Sequence, residues 1–342
     1  MKIFSSRMYL EDLDYICRYI DVKALREKKV LITGVTGMIG SMLADAFLKC
    51  GVVEVYGVGR SKKRAEERFG DSEKWKRFHF IEHNVIDPFR SNEKFDFIIH
   101  AASNAYPKMF DQDPVGTMLA NFNGLYNLLE FAKGSESRIV YISSGEVYGQ
   151  GDGSDFVENN YGFVDITDPR SCYPSAKRAA ETLCVAYKKQ YSVNVSIARL
   201  SHTYGPTATN ADTRAATQFI QNGVDGKPII MKSRGEQIRS YTYIADAVAA
   251  IICIMLRGEN GEAYNVAYDG GIVSIYEMAK LVSSICNVEI QFAFPDLREK
   301  KSYNPVLRSV LSSKKIKEIG FEGHYDIKMG LWRTIQIKKD AH

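Results

Sequence analysis

The sequence predicts an α/β fold built on a doubly wound parallel sheet, on two observations. Apolar runs of strand length alternate with amphipathic runs of helix length as far as about residue 200. The first of those strands also passes directly into a turn of regularly spaced glycines that opens a helix. Alternation of this kind winds helices over both faces of a parallel sheet.

In chain order, residues 1–28 come first. Tyr9, Leu10, Leu13, Ile16, Cys17 and Ile20 recur at helical spacing among charges, so an amphipathic helix is expected there, packed on the domain or on a partner subunit. Lys29 to Ile32 form a strand that meets Thr33-Gly34-Val35-Thr36-Gly37-Met38-Ile39-Gly40, and Met42, Leu43, Phe47 and Leu48 carry a helical pattern onward. In such a turn Gly34 serves the tight bend, Gly37 a close approach of backbone to ligand, and Gly40 the packing of helix on strand. The backbone N–H groups at the start of the helix suit a pyrophosphate. Thr36, Met38 and Ile39 belong to the same cradle. Further strands are expected at Val53–Val58, Phe78–Glu82, Phe95–His100, Arg138–Ser143 and Val193–Leu200, with helices at Ser61–Phe69, Pro114–Lys133 and Tyr173–Tyr191.

Lys+Arg 45 against Asp+Glu 41 leaves a net charge of +4, too balanced for a nucleic-acid groove or a polybasic membrane patch. An anionic ligand is therefore expected to be held by local arginines. The six cysteines show no metal spacing and read as reduced thiols of a cytoplasmic protein. His79 and His83 sit in a strand-like stretch, so no metal site is expected. No apolar run is long enough to span a bilayer.

The chemistry concentrates in Tyr173-Pro174-Ser175-Ala176-Lys177, which sets a phenol and an ammonium one helical turn apart on one face. A phenol is a poor base at neutral pH, since its ordinary pKa is about 10. A neighbouring cation, with a bound nicotinamide adding charge, is expected to favour the phenolate. The strand ending Ser143-Ser144-Gly145-Glu146 delivers a hydroxyl and a carboxylate to the carboxyl edge of the sheet, where open α/β folds bind ligands. The second strand ends in Gly59-Arg60-Ser61, without the acid that typically binds an NAD ribose. Arg60 leans towards the 2′-phosphate of NADP, and the choice between NAD and NADP stays open. Asn84 and Asp87, past the third strand, are candidate adenine-side contacts.

These motifs together resemble the extended short-chain dehydrogenase/reductase family of nucleotide-sugar epimerases, dehydratases and decarboxylases, from about residue 28 to about residue 335. Thr33–Gly40 is similar to its TGxxGxxG, Ser144 with Tyr173 and Lys177 to its catalytic triad, and Arg199 with Tyr204-Gly205-Pro206 to its sixth-strand signature. The resemblance implies a Rossmann-type domain over 29–200 and a smaller C-terminal α/β substrate lobe, mainly 201–335, with some segments returning to the first. It also implies a tightly bound, internally recycled cofactor, with Ala101 beside it, and a homodimer through helices 114–133 and 173–191. Tyr173 would take the proton of a sugar 4-hydroxyl, Lys177 hold the nicotinamide ribose, and Ser144 orient the 4-oxygen.

A 4-ketone opens three routes: decarboxylation of a 6-carboxylate, elimination, or return of hydride to the other face. Gly145 lacks the acid that dTDP-glucose 4,6-dehydratases carry there, while Glu146 points to work at carbon 5 or 6. Pro169-Arg170-Ser171-Cys172-Tyr173 and Gly235–Asp246 are similar to UDP-glucuronate decarboxylases. Decarboxylation of a nucleotide hexuronate is thus the first expectation, ahead of 4-epimerisation and 4,6-dehydration. A dinucleotide-sensing regulator is the non-enzymatic alternative. By resemblance Arg239 would lie near the diphosphate and sugar carboxylate, and Arg308, in Asn304-Pro305-Val306-Leu307-Arg308, would reach the nucleotide. Arg214, after Asn210 and Asp212, fits a phosphate or sugar contact. His202 replaces a usual asparagine, and Lys232 stands where an aromatic or small residue often flanks the base. Tyr106 and Lys108 are expected to face the sugar.

Overall fold

The structure, a computed structural model, describes residues 3–51, 53–70, 76–209, 211–294 and 306–341. Its strands are β1 (Lys28–Thr33), β2 (Val53–Gly59), β3 (Phe78–Glu82), β4 (Phe97–His100), β5 (Arg138–Ser144), β6 (Asn194–Leu200), β7 (His202–Tyr204), β8 (Ile229–Met231), β9 (Ile238–Tyr243), β10 (Ala263–Val266), β11 (Ile272–Ser274), β12 (Ile290–Phe292) and β13 (Arg308–Ser309). Its helices are α1 (Arg7–Cys17), α2 (Val22–Leu25), α3 (Met38–Cys50), α4 (Lys62–Phe69), α5 (Pro107–Gln112), α6 (Pro114–Ala132), α7 (Cys172–Tyr191), α8 (Ala215–Val224), α9 (Ile244–Arg257), α10 (Ile275–Cys286), α11 (Lys314–Glu318) and α12 (Ile327–Asp340).

A seven-stranded parallel sheet carries the molecule, in the order β10-β6-β5-β4-β1-β2-β3. The chain leaves β1 towards β2 and β3, then returns across β1 to build β4, β5 and β6. The point of reversal therefore lies between β1 and β4, where a crevice opens at the carboxyl ends. The sheet reads as continuous Val/Ile/Leu runs because helices cover both faces. Leu125, Leu128 and Leu129 of α6 pack with Cys184 and Tyr187 of α7 on one face. Phe47 of α3 and the buried length of α9 occupy the other. β10, from the later part of the chain, pairs with β6 at the edge of the main sheet. The remaining strands form the smaller β11-β9-β13 sheet, with β7 on β9, and the β12-β8 pair.

Helix α9 is apolar all round but for Asp246, and is buried from Ile244 to Met255. Such a helix needs cover all round. The sheet covers one side, and α1 supplies cover on the other. The expected N-terminal helix is therefore an outer layer of this same chain, and it ends at Cys17, with Asp21 capping the separate short α2. Its buried face is not purely apolar. Tyr9 donates to Asp45, which also receives Arg68; Tyr15 donates to Asp246 at 2.7 Å; Asp12 receives Tyr243 and Arg333, the latter at 2.7 Å.

One expectation is corrected here. Cys17 and Cys50 form a disulfide joining the C-terminal ends of α1 and α3, while Cys172, Cys184, Cys253 and Cys286 are free thiols. Their separation of 33 residues carries no pairing signal; only the docking of α1 on α3 brings them together. Among the described residues no helix is long and apolar enough to cross a membrane.

Candidate active site

The crevice at the reversal point holds two cavities. The smaller, about 230 Å³, runs from the glycine turn along Ala101 and Ser103 to Ser144, Tyr173 and Lys177. The larger, about 490 Å³, lies against the smaller sheets and is lined by Lys108, Arg170, Lys232, Gln237, Arg239 and Tyr241, among others. Ala105, Glu146, His202, Thr203 and Arg214 line both, so the two are compartments of one cleft.

The glycine turn has no room for side chains. Gly34 has φ +67, and a Cβ there would stand 2.8 Å from the Ala102 Cα, across the gap between β1 and β4. At Gly40 a Cβ would come within 2.4 Å of the Gly34 carbonyl oxygen. Bare backbone at the start of α3 therefore faces the smaller cavity, with the unpaired N–H groups that begin any helix. Thr33 Oγ1 bonds His100 Nδ1 at 2.7 Å and receives the Ala102 N–H, locking the ends of β1 and β4 together. Asn121 accepts from Ser103, and Asn127 donates to the carbonyls of Val85 and Asp87, so α6 fixes the loops after β4 and β3. A bare-backbone cradle at a helix N-terminus, continuing to a Tyr/Lys pair, fits a nicotinamide dinucleotide.

Tyr173 and Lys177 both enter this compartment from α7, but they differ from the expected pair in electrostatics. Lys177 Nζ donates to the Ile142 carbonyl at 2.6 Å and lies 4.6 Å from the centre of the Tyr141 ring. Burial pushes its pKa down to about 7, against the pull of Glu181. Burial likewise pushes the Tyr173 phenol up to about 12, with Glu146 adding to the rise and Ser144, Arg214 and Arg170 opposing it. The protein alone thus does not bring the phenol towards neutrality, because desolvation outweighs its charged neighbours. Phe110 stacks on Tyr173, ring centres 4.7 Å apart, and holds it in place.

Glu146 is held by Arg170 in a two-pronged pair, Nη1–Oε2 2.9 Å and Nη2–Oε1 3.0 Å. Arg214 is bound by Asp212 through its Nε and Nη2. His202 is kept neutral, its pKa pushed down to about 3 by burial and then by Arg239 and Arg214.

The chain matches the model of the NAD dependent epimerase/dehydratase family over residues 30–267. It belongs to that family. Among similar proteins of this epimerase/dehydratase family, UDP-glucuronic acid decarboxylase 1 of Danio rerio is 32% identical over 336 residues, covering 95% of this chain and 77% of that protein. UDP-glucuronic acid decarboxylase 3 of Arabidopsis thaliana is 32% identical over 308 residues, 89% of this chain and 86% of that protein. UDP-glucuronic acid decarboxylase 1 of Xenopus tropicalis is 35% identical over 245 residues; the match spans 70% of this chain but little more than half, 56%, of that protein. A solved UDP-glucuronic acid 4-epimerase of Bacillus cereus, in complex with UDP-glucuronic acid and NAD, shares the fold with a TM-score of 0.76 at 21% identity, covering 92% of this chain and 100% of that one.

Of the residues expected at the site, Gly34, Gly37, Met38, Ile39, Gly40, Ala101, Tyr106, Ser144, Glu146, Tyr173 and Lys177 line the smaller compartment, and Lys108 and Arg239 the larger. His202 and Arg214 line both. Thr36 stays in the turn, and Arg60 and Asn84 stand just past β2 and β3; none of these three is in the cavity lining. Arg308 departs from expectation. It pairs with Asp155 at 2.6 Å, outside both linings, because β13 lies beside β9 and turns its side chain to the loop after β5. Arg239 donates to the carbonyls of Ile238, Val306 and Leu307, bracing that same strand. Asn210, Asn304 and Pro305 lie outside the described residues. Arg170, Phe110 and Asp212 had no assigned role from sequence, since each acts through a partner far away or in an irregular loop.

Proposed function

We propose that the protein decarboxylates a nucleotide hexuronate of the UDP-glucuronate kind through a 4-keto sugar. The observation that carries this reading is Glu146, set in the wall shared by the two compartments, beside the base and bound to a guanidinium. A carboxylate there is placed to act on carbon 5 or 6 rather than on the 4-hydroxyl. Relatives bearing the name UDP-glucuronic acid decarboxylase, matched over most of this chain, support it. At Gly145 a Cβ would lie 3.0 Å from Leu311 Cδ1, so hydrocarbon occupies the place where an eliminating acid would project.

Gly34, Gly37 and Gly40 would hold the dinucleotide's phosphates, and Tyr173 and Lys177 would flank its nicotinamide. When bound, NAD supplies the hydride acceptor and a positive ring that favours the phenolate. Tyr173 then takes the 4-hydroxyl proton while Ser144 orients that oxygen. Lys177, anchored by Ile142, holds the ribose and remains near its own titration point. Arg60 would read a 2′-phosphate, so Arg60→Ala should weaken NADP binding and leave NAD binding unchanged; equal effects on both would remove that role. The exposed stripe Val115, Met118, Leu119, Phe122 and Tyr126 on α6, with Val185 and Tyr191 on α7, supports a homodimer through these helices.

The test is incubation of the NAD-loaded protein with a panel of nucleotide sugars, followed by mass. Loss of carbon dioxide from a hexuronate is expected. Loss of water would substitute dehydration, unchanged mass with altered retention would substitute epimerisation, and no change with any sugar would favour a sensing role. Tyr173→Phe should abolish turnover while retaining NAD; full activity in that variant would refute the base assignment.

A further inference from the structure

Arg170 reaches the larger compartment from the turn Pro169–Ser171 ahead of α7, and Glu146 reaches it from the turn Gly145–Tyr148 after β5. The guanidinium grips Glu146 end-on, through Nη1 and Nη2. Its remaining edge carries an Nε–H that is buried without a hydrogen-bond partner. Phe110 packs against the guanidinium, 5.0 Å from its ring centre, and also against Tyr173. The ion pair is therefore held one aromatic ring away from the base.

Three arginines line this compartment among the described residues, and their partners differ in kind. Arg239 is spent on backbone carbonyls. Arg214 is tied to Asp212, which lines only the smaller compartment, whereas Glu146 lines both. Arg170 is paired with a carboxylate that itself faces the substrate space. A guanidinium whose present partner stands inside the cavity can exchange it for an entering carboxylate, because both fit the same planar fork. Without exchange the entering carboxylate would find no free fork on the other two arginines, since Arg239 is held by carbonyls and Arg214 by Asp212.

We propose that Arg170 determines specificity for an acidic sugar: the carboxylate of the hexuronate displaces Glu146 from the guanidinium fork, and a neutral hexose leaves the pair closed. This rests on the nucleotide-sugar reading above and reassigns the carboxylate contact from Arg239 to Arg170. The exchange also releases Glu146 towards the sugar ring only when an acidic substrate is present. It couples recognition of the acid to availability of the group proposed to act after carbon 4 is oxidised.

The test uses the full chain with NAD in a Tyr173→Phe background, which halts turnover, and titrates UDP-glucuronate and UDP-glucose by calorimetry. Arg170→Met should weaken UDP-glucuronate by about tenfold or more and leave UDP-glucose within about twofold, as loss of a charged two-pronged contact requires. Arg170→Lys, which keeps the charge without the fork, should fall between. Glu146→Gln should bind UDP-glucuronate several-fold more tightly than the parent, because the amide competes poorly for the guanidinium. A pair that only braces the fold predicts otherwise: Arg170→Met would weaken both sugars alike and Glu146→Gln would tighten neither. That result overturns the proposal. If the Tyr173-intact protein releases carbon dioxide from the hexuronate while the binding contrast is absent, only the role of Arg170 falls. If the contrast is present but no carbon dioxide appears, recognition of the acid stands and decarboxylation falls.

Discussion

Lys177 shows how one side chain is made useful at a cost to stability. It is almost wholly buried, with a carbonyl and two aromatic rings for company, and its ammonium titrates near 7 instead of 10.5. Between those values the unfolded chain binds a proton that the folded chain has shed, so stability rises with pH across that window. The full cost is felt below about pH 7 and fades towards 10.5. Lys177→Met is expected to be inactive. Its stability relative to the parent should be greatest at the acid end and decline by at most about 1.4 kcal/mol per pH unit above neutrality, read from denaturant unfolding of both proteins. A flat difference would mean that Lys177 is not buried as a charge. Glu146 makes a second residue-scale prediction. Glu146→Gln should still oxidise carbon 4 but release no carbon dioxide, measured by trapping the keto sugar; normal product formation would reduce Glu146 to a partner for Arg170.

At the scale of elements, α1 is a cover for α9 fastened by polar bonds in an otherwise apolar seam. Asp12 has no exposure and its carboxyl is pushed up to about 6 by burial, with Arg333 and the Tyr243 hydroxyl opposing that rise. Removing one member of such a pair strands the other. Asp12→Ala strands the buried Tyr243 hydroxyl and leaves the mostly buried Arg333 only Glu11 and the Met8 carbonyl, and should cost roughly 1–3 kcal/mol in denaturant unfolding. Asp12 also makes acid conditions locally favourable: its folded value lies above the ordinary 3.8, so its charge penalises the fold fully above about pH 6 and is relieved as pH falls towards 4. Helix α7 has a different duty. It carries Tyr173 and Lys177 on one face, while its Glu181 receives Ser143 at 2.5 Å and both Nε and Nη2 of Arg199, locking the helix to β5 and β6. The register of Tyr173 against Ser144 follows from that buried lock.

For the whole molecule, the same α6 and α7 that shape the cleft present their outer surface to solvent. Val115, Met118, Leu119, Phe122 and Tyr126 recur at helical spacing on exposed positions, an arrangement that a lone chain has no reason to keep apolar. The double substitution Leu119→Glu with Phe122→Glu should convert the proposed dimer to a monomer in light scattering with little change in monomer secondary structure. A parent that already scatters as a monomer would remove the dimer from this account. The cleft itself forms only where the main sheet and the smaller sheets meet, since the residues lining both compartments come from the loops after β4 and β5 and from β7 to α8.

Local chemistry was enough to read the glycine turn, the strand–helix alternation, and the Tyr173–Lys177 pair, because backbone sterics and helical periodicity act over a few residues. The sequence alone therefore determined a glycine turn opening a helix and a Tyr/Lys pair at the carboxyl edge of a parallel sheet. What required the folded chain was every property set by neighbours distant along it. The bond of Arg170 to Glu146, the turning of Arg308 to Asp155, the disulfide between Cys17 and Cys50, and the opposed shifts of Tyr173 and Lys177 are of this kind. Pairing and desolvation depend on which surfaces meet and how much water they exclude, and no spacing within a single segment encodes either quantity.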